Sequence, residues 1–79
     1  MVTRKIILPT VSDVKEFVSI MNSCPVDADL TSGRYKVDAK SLMGIFSLDL
    51  SNELKLHFET DDEQEIEVTM LRIQKFILA

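Results

Sequence analysis

The sequence predicts an α+β open-faced sandwich: a four-stranded antiparallel sheet with three helices on one face, in the order βαββαβα. Three observations predict it. Short stretches alternate apolar and polar residues with the period of a half-buried strand, most plainly Leu54, Leu56 and Phe58 against Lys55, His57 and Glu59. Two longer stretches open on a threonine with an acid three residues later, then carry apolar residues at three- and four-residue spacing, the pattern of capped amphipathic helices. Strands with one apolar face need one covering layer, and the helices supply it. The 79 residues make a single domain, 1–79, with no linker, repeat or low-complexity tract.

Val2 to Leu8 reads as the first strand and stops at Pro9. Thr10 and Asp13 then cap a helix whose apolar row is Val11, Val14, Val18 and Met21, with Phe17 beside it, ending near Cys24-Pro25. Val26, Ala28 and Leu30 alternate with Asp27 and Asp29 to give a second strand. After the turn Thr31 to Arg34, Tyr35, Val37 and Ala39 give a third, so the pair forms a hairpin. Ser41 opens a short, very apolar helix, and Leu54 to Phe58 is the fourth strand. Thr60 to Glu63 is read as a second capping box, and the acids of "DDEQE" sit where a helix dipole favours negative charge. Ile66, Met70, Ile73 and Ile77 mark the buried face of the last helix, with Arg72 and Lys75 toward its C-terminal end.

Composition narrows the function classes. A hydrophobic content of 46 % supplies a core without covalent staples, and one cysteine, Cys24, excludes an internal disulfide framework, which points to a reducing, cytoplasmic setting. No apolar run approaches the roughly 18 residues of a membrane span, and the N-terminal stretch lacks a secretory pattern. A net charge of -4 without a basic stripe argues against binding nucleic acid. One Cys and one His at this separation build no metal site, and no Cys-His or Ser-His-Asp arrangement suggests catalysis. Neither a cofactor nor a small-molecule substrate is expected, and the chain reads as a non-enzyme. His57 is expected to face solvent from its strand, and Cys24 to be a small buried apolar residue.

The stretch Lys36 to Leu48, "KVDAKSLMGIFSL", runs from strand alternation through Ser41 into Leu42, Met43, Ile45, Phe46 and Leu48. It resembles the second-helix signature of HPr, the histidine-containing phosphocarrier of the bacterial sugar phosphotransferase system. There a Lys-Ser-Ile-Met-Gly-like motif carries a regulatory serine. The likeness in sequence is specific from about Val26 to Leu48, while the element order fits the HPr fold over nearly the whole chain. The resemblance implies that Ser41 is the regulatory phosphorylation site, that an HPr kinase modifies it, and that the product binds a transcriptional regulator of carbon catabolite genes. It also implies a phosphorylatable histidine at the start of the first helix, in a Gly-Leu-His-Ala-Arg-Pro-like motif.

That histidine is missing. Alignment through "EFV" at Glu16 to Val18 places Thr10 at the histidine position and Ser12 at the arginine position, after a shorter loop. A threonine ester holds a phosphoryl group far more firmly than a phosphoramidate does, so onward transfer is lost. Thr10 is therefore read as a helix cap. Lys40, Leu42, Met43 and Phe46 are the candidates for contact with a protein partner. Met43 and Phe46, three apart, are expected to be the exposed pair of the short helix. Three functions follow: an HPr-like regulator lacking the carrier histidine, which is favoured; a degenerate HPr-fold interaction module whose Ser41 is never phosphorylated; or a phosphotransferase component using another acceptor, which the absent His-Arg pair disfavours.

Overall fold

In the computed structural model, which describes residues 2–78, four strands form one antiparallel sheet in the order β1-β4-β2-β3. The elements are β1 (Val2–Ile6), α1 (Val11–Ser23), β2 (Ala28–Ser32), β3 (Tyr35–Asp38), α2 (Leu42–Phe46), β4 (Leu54–Phe58) and α3 (Glu63–Arg72), then a 3-10 turn over Gln74–Phe76. β4 lies between β1 and β2, pairing Arg4 with Leu56 on one side and Leu30 with Leu56 on the other. Leu54, Leu56 and Phe58 are fully buried while Lys55 is exposed, as the alternation requires. The expected α+β sandwich in the order βαββαβα is the observed one.

Local chemistry sets the element ends. Thr10 caps α1, its Oγ1 accepting from the Asp13 amide at 3.1 Å and donating to the Asp13 carboxylate at 2.8 Å. The two-residue turn Gly33-Arg34 joins β2 to β3, with Gly33 at φ +58, a conformation that glycine adopts without steric cost. Val14, Phe17 and Met21 are the fully buried row of α1. Val11 departs from expectation at 58 % exposed. At 100° per residue it lies roughly a quarter-turn from the centre of that row. Tyr35, expected to alternate inward, is 72 % exposed because it starts the edge strand β3, where cover begins with the half-buried Val37 and is complete at Ala39 just beyond the strand.

Two C-terminal expectations are corrected. The cap of α3 is Asp62 rather than Thr60: its carboxylate accepts from the Gln64 and Glu65 amides at 3.0 and 3.2 Å, whereas Thr60 Oγ1 accepts from the Asp62 amide and shapes the preceding turn. A carboxylate meeting two amides at a positive helix end outcompetes a hydroxyl. Ile77 does not continue the helix. α3 stops at Arg72, and Phe76, only 2 % exposed, turns in to meet Phe17 edge to face at 5.9 Å between centroids. That turn brings Ile77 opposite Ile6. The Ile7 amide donates to the Phe76 carbonyl at 2.8 Å and the Leu78 amide to Lys5 at 2.9 Å, covering one end of the free edge of β1. The buried side of α3 includes Thr69, 1 % exposed, whose hydroxyl donates to the Glu65 carbonyl.

Candidate functional site

The turn from Asp38 to Ser41 carries the residues that the sequence singled out. The Asp38 carboxylate accepts from the Lys40 amide at 2.8 Å, and the Asp38 carbonyl accepts from the Ser41 amide at 3.0 Å. From α1, the Asn22 side chain donates to the Lys40 carbonyl at 3.2 Å. α2 therefore starts from a position fixed to both β3 and α1. Ser41 is its N-cap: Oγ accepts from the Gly44 amide at 3.1 Å, and the side chain is half-buried. Gly44 leaves room for this cap, since an added Cβ would lie 3.0 Å from Ser41 Oγ and 3.2 Å from Val37 Cβ and would press on both side chains.

Within α2, Ile45 is fully buried and Leu42 partly so, and Leu48 is buried just beyond it. Met43 stands 79 % exposed and Phe46, at the edge of burial, 36 %. The expected outward pair is the observed one, one helical turn wide and adjoining Ser41. Lys40 is placed differently from the other candidates. Its ammonium lies 3.3 Å from the Cys24 carbonyl and 3.4 Å from an Asp27 carboxylate oxygen, so it ties the turn to the end of α1.

At the start of α1, Thr10 and Ser12 are both exposed. Thr10 is engaged with Asp13, as above, and neither side chain is an imidazole or guanidinium. Cys24 is buried with Arg72 Nη1 3.4 Å from its sulfur. His57 lies on the sheet face away from the helices and is half-buried. Its Nδ1 lies 3.0 Å from Thr3 Oγ1 and its Nε2 3.0 Å from Thr31 Oγ1, so the ring joins three strands. The alternation placed His57 on the polar side, but its clamping by two threonines depends on pairing that the sequence does not display. Beside it, the neighbouring Asp29 carboxylate holds Glu59 above the usual carboxylate range, because only protonated Glu59 can hydrogen-bond to it and because their charges repel. No cluster of three or more His, Cys, Asp or Glu side chains suited to a metal occurs among the described residues.

A family model described as the phosphorylation site of the phosphotransferase-system HPr component matches residues 13–78. The chain belongs to the HPr family. The match begins one residue past Ser12 and takes in Ser41 and α2. Among solved structures, HPr-C-His from Thermoanaerobacter tengcongensis superposes with a TM-score of 0.75 at 29 % identity, over 95 % of this chain and 93 % of its own. Crh, the catabolite repression protein of Bacillus subtilis, superposes at 0.63 with 28 % identity, over 96 % and 88 %. The phosphocarrier HPr of Bacillus anthracis, at 22 % identity over 90 % and 94 %, shares the fold with a TM-score of 0.65. A search of curated proteins returns no match. This HPr-family chain has a serine-capped second helix with an outward apolar pair, Met43 and Phe46.

Proposed function

We propose that this member of the HPr family is a non-catalytic regulator of the cytoplasm that binds a protein partner through α2 under control of Ser41 phosphorylation, and does not carry phosphoryl groups at α1. One observation carries the reading: Met43 and Phe46 are exposed beside the Ser41 cap; the alignment through Glu16 to Val18, which sets Thr10 and Ser12 at the carrier positions, is the second part of the proposal. A phosphate on Ser41 adds about -1.5 to -2 charge, and one of its oxygens can take over acceptance from the Gly44 amide. The result is an anionic group beside two apolar side chains, suited to a partner that offers an arginine next to an apolar pocket. An HPr kinase is the proposed modifying enzyme and a transcriptional regulator the proposed target, by likeness to the family and to a catabolite repression protein. DNA, lipid, metal and small-molecule substrates have no place in this scheme.

A second reading has its own support. Ser41 is half-buried and its oxygen is already engaged with Gly44, which favours a module that binds through Met43 and Phe46 without modification. Incubation with HPr kinase and ATP, followed by peptide mass spectrometry, separates the two: phosphate on Ser41 is expected. Its absence under conditions where an authentic HPr is modified would leave the unmodified module.

A further inference from the structure

α3 turns a second apolar surface outward. Val68 and Leu71 are 58 % and 65 % exposed and, being three apart, share one face of the helix with Gln64. Beside them runs a groove of about 420 Å³ between α3 and the end of α1, lined by Cys24, Pro25, Glu65, Val68, Thr69 and Arg72. The fold makes no use of this side, since α3 packs inward through Ile66 and Thr69.

Five carboxylates lie on or just before α3: Glu65 lines the groove, Glu63 and Glu67 line the cavity toward β1, and Asp61 and Asp62 precede the helix. The ion pairs among the described residues are Lys5–Glu53, Lys36–Asp29, Lys40–Asp27 and Lys75–Glu16, so none of the five has an ionic partner there. Asp62 caps the helix, and the dipole accounts for Glu63 and Glu65 in the first turn. It does not account for Glu67. Two cations adjoin these acids without an ion pair: Arg72 lines the groove with Nη1 3.4 Å from the Cys24 sulfur, and Arg4, which donates to the Thr3 carbonyl, lines the cavity that Glu63 and Glu67 share, so the acids remain in excess.

We propose that this face of α3 docks a basic amphipathic helix from a protein partner, with its apolar side chains on Val68, Leu71 and the groove and its lysines or arginines toward Glu65 and Glu67. Charge selects that occupant. A second copy of a chain with net charge -4 would oppose acid to acid, and nucleic acid or an anionic lipid surface meets the same repulsion. α2 packs on α1 and β3, whereas α3 adjoins β1 at the other edge of the sheet, where Ile66 and Met70 share a cavity with Val2 and Arg4. The two outward pairs, Val68 with Leu71 and Met43 with Phe46, thus lie on different helices, while the α3 groove reaches Cys24, whose carbonyl is 3.3 Å from the Lys40 ammonium. This inference does not depend on Ser41.

The test is an NMR titration of the intact chain with a synthetic leucine/lysine peptide that forms an amphipathic helix, alongside a scrambled peptide of equal composition without an apolar face. Shifts are expected from Gln64 to Arg72 and around Cys24, and the scrambled peptide should bind about tenfold more weakly or less. Replacing Val68 and Leu71 together by Gln, or Glu65 and Glu67 together by Gln, should weaken binding by about tenfold or more, whereas Met43→Lys should leave it unchanged. Equal binding of both peptides, or shifts confined to α2 or the open sheet face, would overturn the proposal. So would unfolding of the Val68/Leu71 variant, which would make these side chains part of the core. Self-association abolished by the same substitutions would assign the face to a second copy instead.

Discussion

In the proposed reading, Thr10 and Ser12 stand where a carrier would hold its histidine and arginine. A phosphoryl carrier needs a nucleophile that releases the group again, and a capping hydroxyl bonded to Asp13 is not one. No acid-labile phosphate is expected on this protein after incubation with phosphoenolpyruvate and the general phosphotransferase enzyme; acid-labile label on His57, measured by mass spectrometry, would contradict this. Replacing Thr10 by His and Ser12 by Arg should restore partial acceptance at most if, as the sequence reading has it, the loop before Pro9 is shorter than a carrier's, since a working site tolerates a displacement of only ~0.5 Å. Glu59 supports a pH prediction. Its affinity for protons is raised in the folded state, first by the hydrogen bond to Asp29 and then by charge repulsion from Asp29 and Asp27, with Lys36 opposing. Stability from the bound proton is therefore present below the ordinary glutamate pKa of about 4.3 and is lost as pH rises through the higher folded value. Glu59→Gln should melt above the parent protein at neutral pH, and the gap should close on acidification through that window. A constant gap in thermal melts across pH would show that Asp29 is not its cause.

Among the elements, α2 is the one whose two sides answer to different demands. Ile45 is fully buried and serves the core, while Met43 faces solvent and Phe46 sits at the margin. Ile45→Ala should cost on the order of 2 to 5 kcal/mol in chemical denaturation. Met43→Lys, at an exposed site, should stay within about 0.5 kcal/mol, and Phe46→Lys should cost more than that but less than Ile45→Ala. Both lysine variants should lose partner capture in pull-downs. A cost above about 3 kcal/mol in both would return these residues to the core and remove the argument for a binding face. This much was legible from sequence, because three-residue spacing in a five-residue helix leaves few ways to share one buried side. The ends of α3 were less legible. Thr60 and Asp62 are both good caps, and which one closes the helix depends on where the chain leaves β4.

Across the whole molecule, one core joins both layers, from Ile6 and Phe58 in the sheet to Phe17, Met21, Ile66 and Phe76 in the helical layer. A domain of this size has a total stability of about 5 to 15 kcal/mol, so single core deletions are severe. Ile73→Ala, at a fully buried position just past α3, should cost on the order of 2 to 5 kcal/mol. A change below about 1 kcal/mol in chemical denaturation would mean that the C-terminal segment does not close on the core as described. Element order, the inward set of each central strand and the Ser41 cap could be read from the sequence alone, because periodicity, capping and residue identity are local properties. Tertiary structure decided the rest. Tyr35 is exposed because β3 falls at the sheet edge, Lys40 is tied down because α1 ends beside it, His57 is clamped because β4 lies between β1 and β2, and Phe76 rather than Ile77 enters the core because the chain must turn to cover β1. Each of these depends on which distant segment becomes a neighbour, and a one-dimensional pattern does not carry that information.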